Sequence, residues 1–170
     1  MGRVSLGKTP GRHPSTPTIA WDTGEWSAWA RSAGNRVLDC GLVHVTGDVT
    51  IVGVIPCQHR GEVWIERPIF QQGGRNEVDP NDLIMLGVKV GRIAEPYLAL
   101  DNEVTLIRST DWKGGTRKDI QENRTRASLD PVELALVTAR ADAVSKSYRH
   151  NIWDAVGILI WRLKREGLRS

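Results

Sequence analysis

Three short apolar stretches of this chain each run into a single acid: Asp22 in TIAWDTG, Glu66 in EVWIERP and Asp154 in HNIWDAVGILIW. Each acid is the first charge met after a segment that reads as a buried strand or as a helix start. An unpaired carboxylate is costly to bury, so none of the three is core filling. Three of them at the mouths of separate elements suggest one carboxylate cluster, the donor set that hard divalent cations take.

The segments between them set the order of elements. TIAWD reads as a strand ending on Asp22, with Gly24 in a turn. WSAWARS and RVLDCGLVHV follow as a meander of short strands. Gly47-Asp48 is a further turn signal. VTIVGVI is apolar and β-branched, but Pro56 leaves its role open. EVWIE is a short buried strand stopped by Pro68. QQGGRNEVDP is a loop, after which Asp79 caps a helix with Pro80 at its first position. That helix, PNDLIMLGVKVGRIA, is expected to end at Pro96. Gly87 and Gly91 lie one turn apart in it, which suggests close approach of another backbone.

EVTLIRS is a further strand, leading into a basic, loop-like stretch, TDWKGGTRKDIQENRTR. Asp130-Pro131 with Glu133 opens another helix, with Leu134, Val137, Ala141, Val144 and Tyr148 on one face. After a break near Arg149-His150-Asn151 comes the last helix. Ile152, Ala155, Val156, Leu159, Ile160 and Leu163 form its apolar face, and Gly167 ends it. Several strands, a helix, a strand and two helices make an α/β layered domain with a mixed sheet.

A length of 170 residues supports one real core and gives no sign of a second domain. Residues Met1 to Pro17 read as a flexible basic arm, with Arg3, Lys8 and Arg12 unopposed, ahead of a domain over residues 18–170. No run reaches the roughly 18 apolar residues of a membrane span. The basic start lacks the apolar stretch of a secretory signal, so a cytoplasmic protein with no membrane partner is expected. Cys40 and Cys57 are too few for a disulfide framework and read as reduced, buried thiols.

Net charge is only +3, but it is unevenly placed. Lys113, Arg117, Lys118, Arg124 and Arg126 cluster in one stretch, and Arg162, Lys164, Arg165 and Arg169 in another. Such clusters are compatible with a nucleic-acid face as well as with a solvated surface. Seven tryptophans are unusual; most read as core anchors, and some could stack on bases.

Phosphodiester hydrolysis needs a nucleophilic water and a stabilised leaving oxygen, and a pair of Mg²⁺ ions supplies both. Carboxylates are the ligands Mg²⁺ prefers. Asp22, on a central strand end, is the bridging candidate, with Glu66 on a neighbouring strand and Asp154 in the first turn of the last helix. Asn151 lies three residues before Asp154 on the same helical face, and His150 is its rival. Taken singly, each acid could be a turn aspartate, an edge ion pair or a helix-start acid. Asp22-Thr23-Gly24 also matches the flap-covered aspartic proteases, a reading that leaves Glu66 and Asp154 without a role.

Four stretches resemble the RuvC-like Holliday junction resolvases, especially the compact bacteriophage and prophage type: TIAWDTGEWSAWA, EVWIERP, GGRNEVDPNDLIMLGVKVGRIA and HNIWDAVGILIWRLKREG. The resemblance covers roughly residues 18 to 168. It implies an RNase H-like fold with a central mixed five-stranded sheet flanked by helices. It implies a homodimer that resolves four-way and other branched DNA by paired hydrolysis, with two Mg²⁺ per site or Mn²⁺ in their place. The family's metal places carry over as Asp22, Glu66 and Asp154. The fourth, usually Asp or His, falls on Asn151, with His150 as substitute. Lys113, Arg117, Lys118 and Arg75 become the candidate phosphate contacts, with Lys113 and Lys118 the nearest candidates to the scissile phosphate and Lys118 counted among the catalytic residues. A catalytically weak branched-DNA binder, or a flap or fork nuclease of the same fold, is the alternative.

Overall fold

A computed structural model of the chain describes residues 16–46, 50–57, 60–68 and 79–170. The basic arm up to residue 15, the Gly47-Asp48 turn, most of the loop before Asp79, and Arg75 within it lie outside the described residues.

The sheet is built around β1 (Thr18–Asp22). On one side β1 pairs antiparallel with β2 (Trp26–Ala33), and β2 antiparallel with β3 (Arg36–Val45). On the other side β1 pairs parallel with β5 (Glu62–Glu66), and β5 parallel with β6 (Glu103–Ile107). The last member is β4 (Ile51–Val52), which gives the order β4-β3-β2-β1-β5-β6. The sheet is therefore mixed, with six strands rather than the five expected. The extra strand is the remnant of VTIVGVI. Gly53 and Pro56 break that stretch, and only two residues pair, with His44 and Val45.

Strand alternation sorts the side chains into two layers. Ala20, Ala28 and Ala30 form a floor of small side chains under α5 (Arg149–Arg165). That floor lets α5 lie close to the sheet. Residues Ile152 to Ile160 are all buried, as in a helix covered on every side. The outer cover comes from α3 (Lys118–Ala127) and α4 (Pro131–Asp142). On the opposite face Ile19, Trp21, Trp29, Val43, Val63 and Ile65 meet α1 (Pro80–Ala99) through Val90, Ile93, Ala94 and Tyr97. Trp29 lies across Gly41 of the paired strand, where a Cβ would stand 2.8 Å from the indole.

Several local expectations are corrected. The first helix does not stop at Pro96; it runs on to Ala99. A proline three residues from the end removes one helical hydrogen bond, and the final turn is held by other means. The Tyr97 hydroxyl donates to Pro56 O at 2.9 Å and accepts from Trp21 Nε1 at 3.2 Å, while Asn102 Nδ2 donates to Tyr97 O at 3.0 Å. Among the described residues Gly87 and Gly91 meet no other backbone: a Cβ at either position finds nothing within 4 Å.

The stretch read as a basic loop holds two helices, α2 (Ser109–Trp112) and α3. α3 has no apolar stripe. It docks through buried Thr125 and through the Arg126 guanidinium, 3.8 Å above the Trp153 ring. α4 ends at Asp142, so Val144 and Tyr148 are not on its face; Tyr148 closes a short 3-10 turn, Lys146–Tyr148. Cys40 is buried, with its thiol pKa pushed up to about 12 by desolvation, whereas Cys57 is exposed rather than buried. Among the described residues no helix is long and apolar enough to cross a membrane.

Candidate metal and phosphate site

The site forms where parallel strands end. Trp21 pairs with Ile65 in the parallel register, so Asp22 and Glu66 are the next residues of adjacent strands. Alternation puts both on the α5 face, in phase with Ala20 and Trp64. The carboxyl ends of parallel strands are where open α/β sheets bind ligands. Thr23 Oγ1 donates to Glu66 O at 2.7 Å and ties the two strand ends together. Asp154 faces them from α5. It lies in the second turn of that helix rather than the first, because α5 begins at Arg149.

A pocket of about 390 Å³ opens here, lined by Asp22, Asp154, Asn151, His150, Lys113 and Lys118 among others. Six sequence-predicted residues thus share one wall system. Glu66 does not line this pocket but is coupled to it. The Asp22 carboxyl is only partly accessible and closely surrounded by protein; desolvation, then Asp154, then Glu66 hold its pKa well above the usual carboxylate range. Desolvation also raises Glu66 and Asp154.

Two groups oppose that strain. Lys113 Nζ lies 3.7 Å from Asp154 Oδ2 and pulls both Asp154 and Glu66 back toward ionisation. Trp112 Nε1 donates to Glu66 Oε2 at 2.6 Å. Lys113 Nζ also rests 4.8 Å from the Trp112 ring centroid. The α2 helix, which follows β6, therefore delivers a hydrogen-bond donor and a cation in consecutive residues.

Asn151 Nδ2 donates to Trp26 O at 2.7 Å, so the amide nitrogen anchors α5 to β2 and the amide oxygen is the atom left for a ligand. Burial, then the Lys118 ammonium, lower the His150 pKa, which favours the neutral imidazole. Arg117 is separate from the pocket: it is exposed and paired with Asp119 at 3.2 Å.

The C-terminal basic cluster does not form a charged face. Arg162 is buried against Glu62, and Arg169 engages Glu133 and the carbonyls of Ser128 and Asn35. Lys164 and Arg165 remain exposed, with Arg165 over the Trp161 ring.

Among the described residues, no group of three His, Cys, Asp or Glu side chains stands at the spacing of a preformed metal cage. The donor chemistry still fits a hard divalent cation. Asp22, Asp154 and the Asn151 carboxamide line the pocket with Glu66 behind them, and the Asp154 and Glu66 charges raise Asp22 in a way that bound positive charge relieves.

Sequence reading missed Thr23, Glu25, Trp26, Ser147 and Tyr148 of the pocket wall, and Trp112 behind it. Trp112 directly precedes Lys113, and Thr23 directly follows Asp22. Nothing in the local pattern marks Trp26 or Tyr148.

Fold and site together define an α/β domain with an acidic pocket at the strand ends, edged by lysines. The chain matches no family model and no curated protein sequence.

Proposed function

We propose that this protein is a Mg²⁺-dependent endonuclease that cuts branched DNA, four-way junctions foremost, as a homodimer of an RNase H-like, RuvC-like domain. One observation carries the reading. Asp22, Glu66 and Asp154 come from three separate elements and act on one another electrostatically beside a pocket that also holds Lys113 and Lys118.

Asp22 and Asp154 are the direct ligand candidates, with Glu66 behind them and Asn151 Oδ1 or His150 as the fourth donor. Mg²⁺, or Mn²⁺ in its place, would supply an activated water and charge stabilisation for the leaving oxygen. The chain's own share is positional. Trp112 orients the Glu66 carboxylate, Asn151 fixes α5 against β2, and Lys113 and Lys118 bind the phosphate. The mixed sheet, five of its strands with the two-residue β4 set aside, supports the RNase H-like part of this reading. Exposed Ile84, Met85 and Val88 on α1 offer apolar surface for the dimer.

A second reading, a branched-DNA binder with little or no catalysis, is favoured by the absence of a preformed cage among the described residues and by Asn151 at the fourth place. A gel assay on a labelled four-way junction and a matched duplex, in Mg²⁺ and in EDTA, separates the two. Paired nicks in the junction alone, stopped by EDTA, support the endonuclease. Junction binding without nicking in Mg²⁺ or Mn²⁺ supports the binder.

A further inference from the structure

One wall of the acidic pocket is aromatic. Trp26 and Tyr148 both line it. The Trp26 indole stacks on His44 at 4.6 Å between centroids with 19° between planes, and on Tyr148 at 4.8 Å and 23°. His44 sits directly across the strand pair from Trp26, and Tyr148 comes from the turn that enters α5. Among the described residues the two outer rings make no ring contact with each other, so they take opposite faces of the indole. The result is a column of three near-parallel rings. All three stay partly accessible, so the column is not core packing. The Asn151 hydrogen bond to Trp26 O fixes it beside Asp154.

We propose that this column is a nucleobase platform: the nucleotide next to the phosphate held by Lys113 and Lys118 lays its base on the Tyr148 end. The proposal rests on the nuclease reading of the pocket and names how that pocket selects its substrate. Tyr148 is the receiving end because it lines the pocket. His44 does not line it, and its Nε2 is engaged by the Glu25 carboxylate at 3.4 Å. A flat ring and a pair of cations in one cavity match a ligand that carries both a base and a phosphate. Aromatic platforms beside basic grooves hold single strands in this way. A base inside a duplex is stacked on both faces and must be extracted at a cost, which is least where pairing is already broken. The platform therefore favours branch points and single-stranded segments over intact duplex.

The test measures binding of the full chain, in EDTA, to a labelled four-way junction and to the same junction with abasic residues at the branch. Tyr148→Ala is expected to weaken binding to the intact junction about tenfold, with Tyr148→Phe close to wild type. On the abasic junction, wild type and Tyr148→Ala are expected to bind alike. Circular dichroism checks that each variant is folded, and Tyr148→Leu replaces Tyr148→Ala if the latter is not.

Cleavage by wild type in Mg²⁺ is followed in parallel. Cleavage with binding indifferent to Tyr148 and to the abasic residues overturns the platform and keeps the nuclease. Tyr148-dependent binding without cleavage keeps the platform and overturns the nuclease. Failure to bind any of these DNAs overturns both.

Discussion

The indole N–H of Trp112 donates to Glu66 across 46 residues of sequence, and the seat of that indole is Gly157 of α5. A Cβ at Gly157 would stand 2.7 Å from Trp112 Cζ3 and 3.0 Å from Thr125 Oγ1. The glycine thus sets how closely α2 and α3 approach α5, and through Trp112 it sets the carboxylate. Gly157→Ala is expected to cost about 1–3 kcal/mol, as overpacking of a tight core does. Because the displaced ring carries the Glu66 donor, cleavage should fall further than stability explains. Thermal melting and junction cleavage on the same preparation check this.

Trp112→Phe tests the hydrogen bond without the clash. It keeps most of the ring and deletes the donor. That donor is one of the influences holding the Glu66 pKa down against burial, so its loss raises the pKa further. A carboxylate that ionises later needs a higher pH to act as a ligand. The rising limb of the cleavage rate against pH should move upward in the variant, with a stability loss of about 1 kcal/mol. An unchanged profile would show that Glu66 does not limit the reaction.

The carboxylates were legible in the sequence because apolar strands and a buried helix isolate them. TIAWD, EVWIE and the face from Ile152 to Leu163 follow the strand and helix periods, and each packs where its period points. What stayed hidden depends on distant partners. α3 carries no apolar stripe and is held by Arg126 on Trp153, a contact that no apolar period signals. The run of α1 past Pro96 rests on Tyr97 reaching Trp21 and Pro56. Tyr148 reads as the tail of α4 until the turn after Asp142 carries it to Trp26.

Asp22 carries the largest electrostatic load, and the sign of its effect on stability follows. Its folded pKa is raised, by desolvation first and by Asp154 and Glu66 next. A raised carboxyl favours the folded state while protonated, and that advantage is lost as pH rises through the folded pKa. Asp22→Asn removes the charge, so the metal-free variant should melt higher than wild type at pH 7. The difference should vanish as pH falls below about 3.9, where the unfolded aspartate is protonated too. Each kcal/mol gained is about 2–4 °C in a chain of this size. The same variant should lose cleavage. A variant that melts lower at pH 7 would mean that Asp22 is stabilised by its neighbours rather than strained.

Lys113 occupies, by charge, part of the role of a bound cation. Its ammonium lies 3.7 Å from Asp154 and helps keep Glu66 and Asp154 ionised. Lys113→Met should therefore raise affinity for Mg²⁺ about two- to fivefold, the reach of one partly exposed ion pair. On the proposed function it should also weaken DNA binding, because the proposed phosphate contact is lost. Calorimetric titration with Mg²⁺ and a junction-binding assay give the two readings. A fall in Mg²⁺ affinity would place Lys113 as a support of the metal ligands rather than their competitor.

Arg162, unlike its exposed neighbours Lys164 and Arg165, is held inside the fold. Its guanidinium faces Glu62 through Nε and Nη2, both at 3.1 Å, and it lies 4.4 Å from the Trp64 centroid. Both side chains of the pair are only 7% exposed. Trp64 Nε1 also donates to the same carboxylate at 2.9 Å, so the group bridges α5 to β5. Arg162→Met strips a buried carboxylate of its counter-charge and should cost about 3–5 kcal/mol in chemical denaturation. The double variant Arg162→Met with Glu62→Leu should recover much of that loss, since apolar replacement of a buried pair is often neutral. A guanidinium this enclosed neutralises no phosphate. The double variant should therefore bind a junction with the wild-type dependence on salt, whereas a surface contact would lower that slope by about one. A reduced slope would bring Arg162, and with it the end of α5, back into the DNA-binding surface.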